Sequence, residues 1–150
     1  MLPLIWRNIT ERYRLLGVHC QICGKDYFPQ RRICPVCRRK GKFVPKQMPH
    51  EGKIVSFSLV HSAPSGFELE APYFLALIEL SNGVRLLSQL VDSPAQKVAI
   101  GVPVRMVFRK IFEDGPEGAI AYGYKFKVVS GEGKKPAGKK NPRKMAAVNS

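Results

Sequence analysis

The sequence predicts a mainly β protein with four parts in order: an N-terminal helix, a metal ribbon held by four cysteines, a five-stranded barrel and a disordered basic tail. Three observations lead to this prediction. The cysteines form two CxxC pairs within eighteen residues, five runs of branched and aromatic residues follow His50, and the last twenty residues are rich in lysine. We expect the four parts to span residues 1–17, 18–48, 49–130 and 131–150.

Apolar side chains recur at helical spacing before the first cysteine and predict a short amphipathic helix that ends at Gly17. Such a helix can pack against its own domain or dock onto a partner protein, and the sequence leaves both options open. The apolar positions are Leu4, Ile5, Ile9, Tyr13 and Leu16.

Cys20, Cys23, Cys34 and Cys37 are predicted to bind one structural zinc ion in a rubredoxin-like ribbon. Each two-residue gap lets both sulfurs of a pair reach one ion, and the ten-residue loop between the pairs brings them together around tetrahedral Zn²⁺. Four thiolates leave no open position for water or substrate, so the role of the ion is structural. Iron in the same geometry is the alternative.

The five runs after His50 predict antiparallel strands, because branched and aromatic residues favour the pleated sheet. A tight hairpin is predicted to join the second and third strands at Ser81-Asn82-Gly83, since Asn-Gly supplies the positive φ angles of such a turn. Five strands with a longer connection between the third and fourth fit a Greek-key barrel of the OB-fold type, with an SH3-like barrel as the main rival. The runs are 52–62, 72–81, 84–92, 102–112 and 119–129.

The formal net charge of +14 at first suggests a nucleic-acid or membrane-surface partner. Residues 131–150 carry six Lys or Arg and one Glu, and four thiolates with one Zn²⁺ contribute −2, which leaves about +7 on the folded part. No apolar run approaches the ~18 residues needed to cross a bilayer, and the first residues are too charged for a signal peptide. We therefore expect a cytoplasmic protein with no membrane partner.

The sequence offers no catalytic motif: a Gly-rich phosphate loop, a nucleophile elbow and an HExxH pair are all missing. Every cysteine is committed to the metal. His19 neighbours Cys20, but the four-thiolate shell is already full, so we place His19 outside it. We assign no catalytic residue and do not expect an enzyme.

Two stretches of the chain resemble a known family. The first is WRNITERYRLLGVHCQICGKDYFPQRRICPVC, and the second combines GKIVSFSLVHSAPSGFELEAPYFLALIELSNGVRLLSQL with AIGVPVRMVF. Together they resemble the zinc-ribbon and OB-fold proteins known as domain of unknown function thirty-five, which accompany thiolases. The resemblance covers about residues 6–129, and the lysine-rich tail lies outside it.

This resemblance implies an auxiliary subunit without chemistry of its own. Archaeal members of the family sit between an acetoacetyl-CoA thiolase and a hydroxymethylglutaryl-CoA (HMG-CoA) synthase, and related members attend thiolase-like aldolases. The OB part would help form a shared site for the pantetheine arm of coenzyme A (CoA). Acetoacetyl-CoA would then pass between the two active sites, in the mevalonate route to isoprenoid lipids.

Residue type alone suggests which side chains contact CoA. Phe67, in a loop with Pro64 and Pro72, would supply an apolar wall for the pantetheine. Alternatively, Phe67 packs the mouth of the barrel and the arginines of the ribbon form a solvated face. The cations proposed for the CoA phosphates are Arg31, Arg32, Arg38, Arg39 and Lys40.

Two other functions stay open. Many single-strand nucleic-acid binders also combine a zinc ribbon, an OB barrel and a basic surface, and they stack bases on exposed aromatic rings. The resemblance makes nucleic acid the less expected partner. A purely architectural bridge would bind both enzymes without touching CoA. The candidate stacking residues are Phe57, Tyr73, Phe74, Tyr122 and Tyr124.

Overall fold

The computed structural model describes residues 7, 9–113, 115 and 118–129. Helix α1 spans Ile9–Arg14, and the Leu4 and Ile5 positions of the predicted helix lie outside the described residues. The predicted end at Gly17 is wrong. Leu15 has a φ of 51°, a left-handed conformation that stops the helix, and the next residue already begins a strand.

The ribbon is built on a three-stranded antiparallel sheet with the order β2-β1-β3. The residues that follow α1 are drawn into this sheet because β1 pairs along its whole length with β3, from Leu16 opposite Gln47 to Cys20 opposite Phe43. A metal ribbon was predicted at residues 18–48, but no strands were named in it. The strands are β1 (Leu16–Cys20), β2 (Asp26–Tyr27) and β3 (Phe43–Gln47).

The remaining strands close a five-stranded barrel with the order β4-β5-β6-β8-β7. All neighbouring pairs are antiparallel except β6 and β8, which pair in parallel at Leu90 and Phe126. This order confirms the predicted OB-type barrel rather than its SH3-like rival. The strands are β4 (Glu51–Val60), β5 (Tyr73–Leu80), β6 (Arg85–Leu90), β7 (Pro103–Glu113) and β8 (Ile120–Val128).

Two short 3₁₀ helices lie in the longer loops of the barrel. Glu68–Glu70 precedes β5, and Ala95–Lys97 lies between β6 and β7. No helix in the described part of the chain is long and apolar enough to cross a membrane. The predicted disorder of residues 131–150 concerns a segment outside the described residues.

The hydrophobic core fills the barrel and also reaches into the ribbon. Alternate residues of β5 point inward, because side chains alternate between the two faces of a strand. Leu15 and Met48, which flank the ribbon sheet, are fully or almost fully buried in the same core cluster. The ribbon and the barrel therefore share apolar contacts. The main core residues are Leu15, Met48, Ile54, Ala76, Ile78, Leu80, Val104 and Phe126.

The turn between β5 and β6 confirms the predicted hairpin at residues 81–83, but not the positive φ angle expected for Asn82. The Gly83 N–H donates to the Leu80 carbonyl at 2.9 Å, and the Leu80 N–H donates to the Val84 carbonyl at 2.8 Å. Of the turn residues, Gly83 alone has a positive φ, at 82°. The connection is thus a three-residue loop with a glycine at its left-handed position.

Candidate functional site

The four cysteines lie on two knuckles at one end of the ribbon. Cys20 ends β1, and the Gly24 N–H donates to its carbonyl at 2.8 Å to close the first knuckle. The second is closed in the same way, with the Arg38 N–H donating to the Cys34 carbonyl at 2.8 Å. All four sulfurs lie within 4.8 Å of one another.

This arrangement fits a tetrahedral metal ion. The Sγ atoms of Cys23 and Cys34 are 3.6 Å apart, and metal–sulfur bonds of ~2.3 Å place tetrahedral sulfurs about 3.8 Å apart. Cys20 and Cys34 are buried, whereas Cys23 and Cys37 are half-buried. A set of four sulfur donors can hold one metal ion and leaves no position for a substrate.

The pKa values of two of the thiols are shifted in opposite directions. Burial opposes the ionisation of Cys34, but hydrogen bonds from the Cys37 backbone N–H and the Tyr27 hydroxyl outweigh it and lower the pKa of Cys34 to about 6. Burial and the neighbouring sulfurs of Cys23 and Cys34 raise the pKa of Cys37 to about 12. A divalent cation would halve the charge of four thiolates held this closely and leave −2 on the site.

Gly41 is required beside the second knuckle. A Cβ atom at this position would lie 2.6 Å from the Cβ of Cys34, a separation that real side chains do not tolerate. The chain therefore passes close to the cysteine cluster only because residue 41 has no side chain.

Asp26 joins the ribbon to the barrel. Its buried carboxylate accepts hydrogen bonds from His19 Nδ1 at 2.6 Å and from Lys46 Nζ at 2.8 Å. It also accepts one from Asn82 Nδ2 at 2.9 Å, and Asn82 lies in the turn between β5 and β6. The bond between His19 and Asp26 holds His19 outside the cysteine shell, as the sequence predicts.

The residues predicted to contact CoA lie on two different modules. The five cations Arg31, Arg32, Arg38, Arg39 and Lys40 are exposed on the ribbon. Phe67 is half-buried in the loop before β5, with its ring centroid 6.4 Å from that of Tyr73. The ribbon contacts the barrel at the other end of β5, through Asn82. The proposed contacts of Phe67 and of the five cations with CoA stay predictions.

Sequence reasoning missed a groove on the outer side of the barrel, of about 480 Å³. Within it the buried Lys125 of β8 donates to both carboxylate oxygens of Glu70, at 3.1 and 2.9 Å. Gln89 Nε2 donates to Glu70 at 2.6 Å, so the loop that carries Phe67 is tied to the barrel wall. Lys125 and Glu70 are 55 residues apart, and no local pattern in the sequence signals such a pair.

Two of the candidate stacking residues, the tyrosines of β8, pack against other aromatic rings of the protein. Tyr122 stacks on Phe108 with centroids 5.5 Å apart, and Phe108 meets Tyr13 of α1 edge-on at 4.9 Å. Tyr124 packs between Phe28 of the ribbon and the core residue Phe126. The tyrosines of β8 thus hold the helix and the ribbon against the barrel.

Comparison with known proteins identifies the family. Residues 45–109 match the model of the C-terminal OB-fold domain of ChsH2. A DUF35 domain-containing scaffold protein of Methanocaldococcus jannaschii is 52% identical over 124 residues, which cover 83% of this chain and 88% of that protein. This chain belongs to the DUF35 scaffold protein family. The predicted family resemblance is therefore confirmed.

Two further proteins to which this chain is similar carry the name of an enzyme. A chain in the solved structure of the Ltp2-ChsH2(DUF35) aldolase is 27% identical, with a TM-score of 0.62 over 84% of this chain and 92% of that one. The benzoylsuccinyl-CoA thiolase subunit BbsA of Thauera aromatica is 31% identical over 80 residues, 53% of this chain and 54% of that protein. As a DUF35 scaffold protein, this chain is a non-catalytic auxiliary protein.

Proposed function

We propose that this protein is a non-catalytic scaffold that bridges an acetoacetyl-CoA thiolase and an HMG-CoA synthase in the cytoplasm. The observation that carries the proposal is the family membership, at 52% identity to a protein named a scaffold. Likeness to a thiolase subunit and to a DUF35 chain of an aldolase supports a thiolase-type partner. The closed cysteine site is consistent with a subunit that performs no chemistry itself.

The bridge would serve to pass acetoacetyl-CoA between the two enzymes of the mevalonate pathway. Condensation of two acetyl-CoA molecules is unfavourable, so direct transfer of the product to the favourable second condensation keeps it from escaping. In this proposal the barrel lines part of a shared CoA site, with Phe67 against the pantetheine. The ribbon cations Arg31, Arg32, Arg38, Arg39 and Lys40 bind the phosphates.

We also propose that the cysteine site holds one Zn²⁺ per chain in a structural role. Four sulfur ligands at tetrahedral spacing suit zinc, and iron is the alternative in the same geometry. The metal content of protein purified under reducing conditions decides between them.

A pull-down of the tagged protein from its native cell extract, treated with nuclease, tests the bridge. Co-purification of stoichiometric thiolase and synthase, identified by mass spectrometry, is the expected result. Absence of both enzymes, together with binding that is lost only on nuclease treatment, would replace the proposal with single-strand nucleic-acid binding.

A coupled assay of HMG-CoA formation separates a channel from a simple bridge. We expect Phe67→Ala and Arg31→Ala/Arg32→Ala to increase the escape of acetoacetyl-CoA to solvent, measured at protein concentrations that keep the complex assembled. Arg85→Ala/Arg105→Ala, at two exposed cations of the barrel that pair with carboxylates, is the matched control. If escape is unchanged in the Phe67 and ribbon variants, the channel role fails and only the bridge remains.

A further inference from the structure

Three large aliphatic side chains stand exposed on the metal knuckles. Ile22, Ile33 and Val36 have 55%, 62% and 57% of their surface accessible. Each directly precedes a cysteine, so its Cα lies about 3.8 Å from the Cα of a residue in the cluster. Because the four sulfurs lie within 4.8 Å of one another, the three side chains belong to one end of the ribbon. We call these three residues the ribbon tip.

Folding does not explain the ribbon tip. The ribbon is stabilised by its cysteine cluster and by the core contacts of Leu15 and Met48, and none of the three exposed side chains belongs to the core cluster. Branched aliphatic residues that stay in water lose the free energy that their burial would provide. Grouped exposed apolar residues are typical of an interaction surface.

The surroundings of the ribbon tip carry one sign of charge. Five exposed cations flank it along the chain, and no Asp or Glu occurs between Tyr27 and His50. None of the five forms an ion pair with a carboxylate of the described residues. They exceed the −2 that four thiolates and a divalent ion would contribute. These cations are Arg31, Arg32, Arg38, Arg39 and Lys40.

We propose that the ribbon tip is a protein docking surface that inserts into an apolar depression with an acidic border on the thiolase, the type of partner that the likeness to a thiolase subunit supports. This inference rests on the proposed function, since that enzyme is one of the bridged partners. A protein is favoured over a nucleic acid because three aliphatic side chains offer an apolar contact and no ring on which a base can stack.

Binding of purified variants to each purified enzyme tests the ribbon tip. We expect Ile33→Ser/Val36→Ser to weaken the affinity for the thiolase by about tenfold or more, and to leave the affinity for the synthase and the metal content unchanged. Raising the salt concentration should weaken the same interaction, because opposite charges at an exposed border are screened. The matched control is Leu87→Ser/Ile100→Ser, which alters two barrel residues that are 58% and 70% exposed.

The outcomes separate this inference from the bridging function. If Ile33→Ser/Val36→Ser binds both enzymes as tightly as the wild type, or if the control loses equal affinity, the docking surface is refuted and the bridge stands. If the wild-type protein binds neither enzyme, the proposed function fails and the inference with it. Unchanged enzyme binding with lost affinity for single-stranded RNA would reassign the ribbon tip to nucleic acid and overturn the proposal.

Discussion

The hydrogen bond from Asn82 of the barrel to Asp26 of the ribbon holds the two modules together, and we call it the joint. Replacing Asn82 should weaken this contact. The Asn82 Nδ2 donates to the buried carboxylate of Asp26, which lies 56 residues away in the ribbon. Asn82→Ala removes this bond to a charged group, and the expected loss is about 1.5–3 kcal/mol of unfolding free energy. His19 and Lys46 remain as donors to Asp26, so the carboxylate is not left unpaired.

Asn82→Asp distinguishes the joint from a simple turn effect. The Asn82 Oδ1 also accepts the Val84 N–H at 3.3 Å, and an aspartate keeps this acceptor. It would, however, face Asp26 with a second carboxylate, and two like charges about 3 Å apart repel by about 5 kcal/mol at an effective dielectric constant of ~20, before the turn relaxes. We therefore expect Asn82→Asp to be less stable than Asn82→Ala.

Urea unfolding followed by circular dichroism measures these differences, with the zinc concentration fixed because metal binding adds to the apparent stability. Asp26→Asn supplies the second mutation of a double-mutant cycle. The joint is refuted if Asn82→Asp is as stable as the wild type while Asn82→Ala is not. An undiminished effect of Asn82→Ala in the Asp26→Asn background would refute it equally.

Three other substitutions test separate parts of the structure. Cys23→Ser should release the metal and unfold the ribbon while the barrel partly survives, since metal binding supplies folding free energy; retention of one ion per chain, measured by elemental analysis, contradicts the four-cysteine site. Burial opposes the ionisation of Glu70, but hydrogen bonds from Lys125 and Gln89 outweigh it and lower its pKa below the ordinary 4.5. The stability advantage of the wild type over Glu70→Gln is thus full near neutral pH and declines as the pH falls below 4.5 through the lowered pKa; urea titrations in which the advantage stays constant at acid pH argue against this ion pair. Gly52→Ala would place a Cβ 2.5 Å from the carbonyl oxygen of Glu79 on β5. Thermal unfolding should therefore show a loss of about 1–3 kcal/mol in the free energy of unfolding. An unchanged melting temperature would mean that β4 and β5 are not paired in this register.

The barrel strands could be predicted from the sequence because the residue pattern that identifies each strand lies within the strand itself. The run 72–81 alternates inward and outward side chains, and the structure places β5 at Tyr73–Leu80. The run 102–112 likewise became β7, Pro103–Glu113. The cysteine cluster could also be predicted, since the CxxC spacing indicates both the ligand chemistry and the geometry of the site.

Contacts between distant residues could not be predicted. The bonds of Asp26 to Asn82 and of Glu70 to Lys125 join residues 56 and 55 positions apart, and only the closed barrel brings them together. The helix end was misjudged for a related reason. Leu16 fits a helical pattern, but its pairing with Gln47 in the ribbon sheet decides its conformation.

The most direct test of the scaffold function is native mass spectrometry of this protein mixed with the purified acetoacetyl-CoA thiolase and HMG-CoA synthase of the same organism. We expect one assembly that contains both enzymes when this chain is present, and only the separate enzymes when it is left out. Enzymes that associate equally well without it, or a chain that binds neither, would contradict the bridge.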